Sequence, residues 1–318
     1  MLFKDASVMI TGGTGSFGRN FLDALFGFHD PRRVVIYSRD ELKQYEMRQI
    51  WGGEERLRFF LGDIRDSDRL SLAMRGIDYV VHAAALKQVD TAEYNPMEFV
   101  KTNILGSENV IQAAIANGVQ KVVALSTDKA SSPVNLYGAT KLTADKLFIS
   151  SNHYSEAGGT RFAVVRYGNV MGSRGSVIPY FREKALRGEP LPITDSRMTR
   201  FWITLDQAVQ FVVDSFDDMK GGELYVPRIP SMKIVDLARA ISPDSSIIEI
   251  GVRPGEKLHE EMIAVADAPR TVRRDDRYVV APTLAIWGGY VPPVGDPVSE
   301  NFSYSSDNND LWLSVDDL

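Results

Sequence analysis

The residues best suited to chemistry stand in two short segments ten positions apart. Tyr137 and Lys141 are separated by four positions, and on a helix that spacing places both side chains on one face. An ammonium beside a phenol favours the phenolate and lowers the pKa of the tyrosine. A phenolate can take the proton of a hydroxyl group, so the pair could serve as the base of an alcohol oxidation.

A run of polar residues, Thr127, Asp128 and Lys129, precedes that pair at the end of an apolar, β-branched segment. Such a segment predicts a buried strand, here residues 122–125. Ligands of open parallel sheets bind beyond the carboxyl ends of the strands. The run is therefore positioned beside a ligand, although an alternative stays open in which Asp128 and Lys129 form a structural ion pair.

A glycine-rich segment, TGGTGSFG at residues 11–18, follows the first predicted strand and precedes a helical pattern at residues 19–26. Glycines allow a tight turn and a close approach to a pyrophosphate, whose charge is stabilised by the helix N-terminus. The segment predicts a dinucleotide site; a purely structural turn is the alternative. The residues expected to line it are Gly12, Thr14, Gly15, Ser16, Phe17 and Gly18.

The second predicted strand ends in Ser38, Arg39 and Asp40. An NAD site carries a carboxylate near this position, whereas a guanidinium can bind a 2′-phosphate with two hydrogen bonds. Arg39 therefore favours NADP, and Lys43 adds a second positive charge. In the alternative, Arg39 is solvated, and Asp40 binds the ribose or caps the next helix. Asp63 is positioned for the adenine amino group. Four further residues complete the predicted cofactor pocket: Ile64, Ala83, Ala84 and Ala85.

Short strands alternate with helical patterns through the first half of the chain, which predicts βαβ units. The predicted strands cover residues 7–10, 34–37, 58–61, 79–83, 122–125 and 162–166, with helices at residues 41–51 and 96–117 and from about residue 137. The expected fold is α/β, a Rossmann-type doubly wound parallel sheet.

Prolines become frequent after Tyr167 and the alternation weakens. We therefore expect residues 1–167 to form the cofactor domain and residues 168–318 a smaller α/β substrate domain. Helices are predicted at residues 205–216, packing back on the first domain, and at residues 234–241. Residues 292–309 are expected to form an extended surface segment, held by Trp312 and Leu313.

Composition excludes several classes of function. The 318 residues include no cysteine, carry a net charge of −6 and hold four scattered histidines. No thiolate chemistry is possible, no metal site is expected, and the negative charge disfavours nucleic acid and anionic membranes. The apolar stretch near the N-terminus is too short for a signal peptide or a membrane span. The sequence favours a cytoplasmic protein.

The chain resembles the extended short-chain dehydrogenase/reductase superfamily through TGGTGSFG at 11–18, STDK at 126–129 and YGATK at 137–141. Within it, the chain is similar to nucleotide-sugar 4,6-dehydratases, above all the inverting UDP-N-acetylglucosamine enzymes that begin pseudaminic acid synthesis. The similarity continues through YSRDELKQ at 37–44, VRYGNVMGSRGSV at 165–177, ITDSRMTRFWI at 193–203, RPGEKLHEEM at 253–262 and the tail. One departure is Gln88-Val89-Asp90, where the family more usually has a histidine and a proline.

The resemblance implies a reaction and a set of roles. Members bind NADP, oxidise C4 of the sugar, eliminate water across C5 and C6, and return the hydride to C6. Tyr137 would then be the base for the C4 hydroxyl, Lys141 its electrostatic support and a ribose ligand, and Thr127 a hydrogen-bonding partner of the C4 oxygen. Lys129 would be the base at C5, and Asp128 the acid that releases water. This role requires the neutral amine of Lys129, because an ammonium cannot act as a base. The sequence leaves open which form is present.

The substrate, UDP-N-acetylglucosamine, requires donors for its diphosphate. The candidates are Lys87, Asn169, Arg174, Arg200 and Arg253, with Glu256 as a ribose acceptor and Lys257 as a weaker candidate. Arg200 and Lys257 could instead pair with Asp195 and Glu260. The resemblance also implies a homo-oligomer, a dimer or a hexamer, paired through the helices at residues 96–117 and 137–150. The alternatives are a retaining 4,6-dehydratase, an epimerase, or a regulator that binds NADP without turnover.

Overall fold

The computed structural model describes residues 2–155, 158–173 and 176–317. Its first half alternates strands and helices as the sequence predicts. The strands are β1 (Ser7–Thr11), β2 (Arg33–Ser38), β3 (Leu57–Leu61), β4 (Tyr79–His82), β5 (Lys121–Thr127) and β6 (Arg161–Tyr167). The helices are α1 (Ser16–Phe28), α2 (Glu41–Trp51), α3 (Ser67–Ala73), α4 (Val89–Tyr94), α5 (Pro96–Phe99), α6 (Gly106–Ala116) and α7 (Leu136–Ser150).

The second half has shorter elements. Its strands are β7 (Asn169–Val170), β8 (Leu191–Ile193), β9 (Thr199–Ile203), β10 (Leu224–Pro227), β11 (Ser231–Lys233), β12 (Ile247–Glu249), β13 (Glu261–Ile263), β14 (Thr271–Arg273), β15 (Arg277–Val280), β16 (Asp296–Pro297) and β17 (Tyr304–Ser305). Its helices are α8 (Val177–Leu186), α9 (Leu205–Asp218) and α10 (Ile234–Ile241).

The central sheet has the order β16-β14-β15-β10-β6-β5-β4-β1-β2-β3. Strands β1 to β6 and β10 run parallel, and the remaining three form an antiparallel edge. Helices cover both faces, and β1 is buried along its whole length, as expected for a parallel strand between two layers of helices. The predicted Rossmann-type α/β fold is confirmed.

The crevice follows from the strand order. The chain leaves β1 toward β2 on one side, while β4 lies on the other side of β1. Connections from adjacent strands diverge at this switch point and open a gap at the carboxyl ends of the strands. The glycine-rich segment and the residues after β4 and β5 all lie at that edge.

The second half of the chain contributes strands to the central sheet and also forms a small core of its own. Strand β10 pairs parallel with β6, and α9 packs against α1. The ring of Phe216, on α9, also lies 5.5 Å from that of Phe3, which precedes β1. A separate small core gathers around Phe181, Trp202 and Met232. A chain division at residue 167 therefore separates sequence segments whose strands share one sheet.

Two predicted elements differ in the structure. Residues 96–117 are not one regular helix, because the π-helical turn Val100–Leu105 lies between α5 and α6. The tail is not merely a surface segment: Tyr304, Ser306 and Asn309 are buried. The Leu313 backbone does pair with Ser231, as part of the predicted attachment. Within the described ranges, no helix has the length and apolarity needed to cross a membrane.

Candidate active site

A cleft of about 1310 Å³ crosses the carboxyl edge of the sheet and extends under the second half of the chain. It collects nearly all the residues that the sequence singles out. Those lining it are Gly12, Thr14, Gly15, Ser16, Phe17, Gly18, Ser38, Arg39, Asp40, Lys43, Asp63, Ile64, Ala83, Ala84, Ala85, Lys87, Thr127, Lys129, Tyr137, Lys141, Asn169, Arg200, Arg253, Glu256 and Lys257. Asp128 lies behind this wall, only 1% exposed, and Arg174 lies outside the described residues.

The glycine-rich segment is built for a close backbone approach. Gly12 has a φ of +66°, and a Cβ there would lie 2.8 Å from the Ala84 backbone. A Cβ on Gly18 would lie 2.5 Å from Gly13, so α1 packs directly on the turn. Helix α1 begins after Gly15 with no side-chain cap. Its first N–H groups are therefore available to an anion, and the cradle fits the pyrophosphate of a dinucleotide.

The adenosine end carries more charge pairing than the sequence indicates. The Arg39 side chain is 54% exposed, with its guanidinium 3.8 Å from Asp63. Asp63 is held more closely by Arg65, at 2.7 Å, which the sequence reasoning did not consider. Asp40 accepts from the Lys43 backbone at 3.0 Å and pairs with its ammonium at 2.7 Å. Asp40 thus caps α2, as the alternative interpretation expected, and these hydrogen bonds lower the pKa of its carboxyl.

The chain after β5 forms one turn of 3₁₀ helix, Asp128–Ala130. Thr127 donates to Asp128 Oδ1 at 2.8 Å, and Lys129 Nζ lies 3.1 Å from the same oxygen. The other Asp128 oxygen has no hydrogen-bond partner among the described residues. The ion pair of the open alternative is therefore present, and it sits against the cleft.

Helix α7 brings Tyr137 and Lys141 to this turn. Asn135 caps the helix by accepting from the Gly138 N–H at 2.8 Å. Any side chain at Gly138 would collide with the Lys129 carbonyl, so the lack of one allows the helix and the turn to touch. The two chemistry-bearing segments of the sequence are consequently in contact.

The electrostatics of Tyr137 differ from the expectation. Burial raises the pKa of Tyr137 to about 12, while Lys129 and a hydrogen bond with Thr127 act in the opposite direction. The Lys141 ammonium donates to the Leu125 carbonyl at 2.7 Å, and burial lowers the pKa of Lys141. Lys129, rather than Lys141, is thus the charge that opposes the effect of burial on the phenol.

The protonation of Lys129 has a clear direction in this structure. Its ammonium lies 3.1 Å from Asp128 and 3.2 Å from Glu260. Burial lowers the pKa of Lys129, but the two carboxylates raise it by more, so the net shift is upward. The resting side chain is an ammonium. Glu260 is a site residue that sequence reasoning treated only as a partner of Arg200 or Lys257.

The substrate candidates fall into an outer and an inner group. Asn169, Lys87 and Arg253 line the cleft near its surface. Arg200 is 4% exposed and donates to the carbonyls of Thr199 (2.7 Å), Lys257 (3.0 Å) and Leu258 (3.1 Å).

Its guanidinium also pairs with Glu260 at 3.8 Å, as the alternative interpretation allowed, and with Glu256 at 3.4 Å, which that interpretation did not include. The Lys257 ammonium donates to the Ser131 carbonyl. Asp195 pairs with Arg197 instead of Arg200 or Lys257.

Comparison with known proteins identifies the family. A family model described as a polysaccharide biosynthesis protein matches residues 8–282. The chain belongs to that family. A family relative from Campylobacter jejuni, named UDP-N-acetylglucosamine 4,6-dehydratase (inverting), is 51% identical and covers 100% of this chain and 97% of its own.

Two further proteins frame that similarity. A Rickettsia akari protein named UDP-glucose 4-epimerase is 44% identical over 84% of this chain and 80% of its own. The solved structure of Pen from Bacillus thuringiensis, 38% identical, covers 99% of this chain and 97% of its own with a TM-score of 0.90. The fold of that solved structure therefore matches this chain over nearly its whole length.

Proposed function

We propose that the chain is an inverting, NADP-dependent UDP-N-acetylglucosamine 4,6-dehydratase, a hydro-lyase. The product is UDP-2-acetamido-2,6-dideoxy-β-L-arabino-hexos-4-ulose, the first intermediate of pseudaminic acid synthesis. The observation that carries the proposal is the meeting of Thr127, Lys129 and Tyr137 in one cleft with the glycine-rich cradle. The similarity to the Campylobacter jejuni enzyme supports the same reaction.

The cradle and the adenosine end hold the cofactor. Bound there, NADP would supply the reversible hydride chemistry that oxidation at C4 and reduction at C6 require. The exposed Arg39 guanidinium binds the 2′-phosphate, because its contact with Asp63 is long at 3.8 Å and a bidentate phosphate contact is stronger. Lys43 adds positive charge nearby while its ammonium remains on Asp40.

Oxidation uses the face of α7. Tyr137 takes the proton of the C4 hydroxyl, and the Thr127 hydroxyl turns from Asp128 to donate a hydrogen bond to the C4 oxygen as charge develops there. Lys141 binds the ribose of the cofactor and adds positive charge to the site. Burial raises the pKa of Tyr137 to about 12 in the free protein, and the positive charge of an oxidised nicotinamide, once bound, would lower it again.

Elimination uses the turn after β5. The Lys129 ammonium passes one proton to Asp128 across their 3.1 Å contact, leaving an amine and a neutral carboxylic acid. The amine takes the C5 proton, which the C4 ketone has made acidic. The proton on Asp128 reaches the C6 hydroxyl through Thr127, which touches Asp128 at 2.8 Å and lines the cleft. Water leaves, and both residues return to their resting states.

The second half supplies most of the side chains that bind the nucleotide sugar. We therefore divide the chain at residue 167 by function, into a cofactor-binding and a substrate-binding part. Arg253 and Asn169 reach the diphosphate and sugar from the outer cleft, and Lys87 joins them from the first half. Arg200, buried below the cleft, orients Glu256 toward the ribose of the UDP group. We further propose a cytoplasmic homo-oligomer paired through α6 and α7, because these helices flank the sheet on one side.

A 4-epimerase is the second candidate, favoured by the 44% identity to the Rickettsia akari protein. An epimerase also oxidises C4, but it leaves the C5 hydrogen in place. The base at C5 is therefore the feature that separates the two functions. A cofactor-binding regulator would have no use for the contact between Lys129, Thr127 and Tyr137.

The proposal is tested by NMR of UDP-N-acetylglucosamine with the NADP-loaded protein in deuterated water. We expect a 4-keto-6-deoxy product that carries one solvent deuterium at C5 and has inverted configuration there. A C4 epimer without deuterium would establish an epimerase, and retained configuration at C5 would establish a retaining dehydratase. An unchanged spectrum would contradict an enzyme acting on this sugar.

A further inference from the structure

A buried charge cluster lies at the inner wall of the cleft. The cations are Lys129 and Arg200, and the acids are Asp128, Glu256 and Glu260. Glu260 is 2% exposed, and one of its oxygens, Oε2, has no hydrogen-bond partner among the described residues. Burying a carboxylate with unused acceptors is costly, so its contacts with Lys129 and Arg200 are what stabilise the charge.

The C-terminal tail fixes the backbone of Glu260. Its N–H donates to Ser306 Oγ at 2.9 Å, and its carbonyl accepts from the Ser306 N–H at 2.7 Å. Ser306 also contacts the hydroxyl of Thr199 at 2.6 Å. The strands on either side of this contact, β13 and β17, pair antiparallel. Two segments remote in sequence thus hold one carboxylate against Lys129.

We propose that Glu260 is a positioning residue for elimination, which holds the Lys129 ammonium at the inner wall of the cleft and keeps it protonated in the resting enzyme. This inference rests on the proposed role of Lys129 as the base at C5. Asp128 alone is the acid that exchanges the proton with Lys129; Glu260 stays ionised throughout.

Charged and titratable groups face Lys129 from each element packed around it. Asp128 stands on the same turn, Glu260 and Lys257 on the segment before β13, and Arg200 on β9. The Lys129 charge also acts to lower the pKa of two more groups, Lys87 after β4 and Tyr137 on α7. Without the charge of Glu260, Asp128 would be the one anion of the described residues left in contact with an ammonium that has other cations close by.

The test measures the reactivity of Lys129 in the ligand-free protein by labelling with acetic anhydride at constant pH, followed by peptide mass spectrometry. Only the amine form reacts. Since an opposite charge at contact distance shifts a pKa by at least about one unit, Glu260→Gln should raise the labelling rate of Lys129 about tenfold or more. Glu260→Asp keeps the charge but shortens the side chain by one methylene, so it should raise the Lys129 labelling rate by less than tenfold.

Two controls separate this effect from general loosening. Glu261→Gln makes the same substitution one residue later, where the side chain accepts from Ser131 and Ser132, and should leave Lys129 labelling unchanged. Lys141, buried in the same cleft, should keep its rate in every variant. An unchanged Lys129 rate in Glu260→Gln, or an equal rise at Lys141 or in Glu261→Gln, overturns the inference.

The readout also stays independent of the proposed function, because labelling needs neither substrate nor turnover. If Glu260→Gln does not fold, Glu260→Asp replaces it in the test. We then expect the labelling rate of Lys129 alone to rise, by less than tenfold. An unchanged labelling rate of Lys129 would contradict the inference. Native turnover by Lys129→Met would remove Lys129 as the base while leaving the labelling result intact. The two failures are therefore distinguishable.

Discussion

The two ends of the cleft are built in different ways. The cofactor end is made of neighbouring residues, from Gly12 to Asp63, and its shape comes from backbone geometry and exposed charges. The reaction end is made of charged groups, most of them buried, from the turn after β5, from α7, from β9 and from the segment before β13. The cofactor end depends on the absence of side chains, and the reaction end on the balance of several charges in a desolvated space.

That difference teaches where substitutions should act. At the cofactor end, a change should alter affinity or specificity and leave the chemistry of the bound substrate untouched. At the reaction end, a change of one charge should alter the protonation of its neighbours, because interactions are strong where water is excluded. The predictions below test this contrast.

The largest effect is expected at Tyr137. Tyr137→Phe removes the proposed base for the C4 hydroxyl, so neither reduced cofactor nor deuterium at C5 should form with substrate. Loss of a general base costs about 10²- to 10⁴-fold in rate. Stopped-flow absorbance of the reduced nicotinamide measures the first step. Tyr94→Phe, on an exposed side chain of α4, is the control, and a comparable loss there would contradict the assignment.

A stability effect is expected behind the reaction end, where Arg166 and Asp145 form a buried ion pair at 3.0 Å. Asp145→Asn leaves the guanidinium without its carboxylate, and breaking such a pair should lower the free energy of unfolding by about 3–5 kcal/mol. Urea denaturation measures it. Asp236→Asn breaks the exposed pair with Arg239 and should cost under about 1 kcal/mol. Equal losses in the two variants would show that burial does not distinguish them.

A smaller effect is expected at Gly12. Gly12→Ala introduces a Cβ at a positive φ and 2.8 Å from the Ala84 backbone, so backbone strain should cost about 1–3 kcal/mol and weaken cofactor binding. Calorimetric titration with NADP measures the affinity. Gly27→Ala, on α1 with open space around its Cβ position, should leave affinity unchanged. Undiminished affinity in Gly12→Ala would remove the cradle from the site.

The smallest effect is expected at Arg39, which is half exposed. Arg39→Asp should reverse the preference from NADP to NAD, because a carboxylate repels the 2′-phosphate and accepts from ribose hydroxyls. The ratio of the two dissociation constants should change by about tenfold or more, which corresponds to about 1.4 kcal/mol. Arg75→Asp, at another exposed arginine, should leave the ratio unchanged. An unaltered ratio in Arg39→Asp would place the guanidinium outside the pocket.

The sequence predicts the cofactor end better than the reaction end for a physical reason. Strand, glycines and helix follow one another in residues 7–28, so local spacing is enough to predict the cradle. The spacing of Tyr137 and Lys141 likewise predicts a shared helical face. Local spacing does not predict the contact between Glu260 and Lys129, because that contact depends on how β13 pairs with the tail.

The charge on Lys129 illustrates the same limit. From the sequence, Asp128 favours the ammonium, while burial and Lys141 oppose it, and the outcome stays open. The structure adds a second carboxylate at 3.2 Å and directs Lys141 to the Leu125 carbonyl. Both additions favour the ammonium. The buried tail was missed because its polar residues, such as Ser306 and Asn309, are held by hydrogen bonds that composition does not reveal.

The central claim is that oxidation and elimination use different side chains at the reaction end, and Lys129→Met tests it most directly. After NADP-loaded variant is mixed with UDP-N-acetylglucosamine in deuterated water, nicotinamide absorbance and C5 deuterium are followed together. We expect reduced cofactor to form and persist while C5 acquires no deuterium, because Tyr137 still oxidises C4 but no base removes the C5 proton. Turnover at the native rate, with deuterium at C5, would contradict the account.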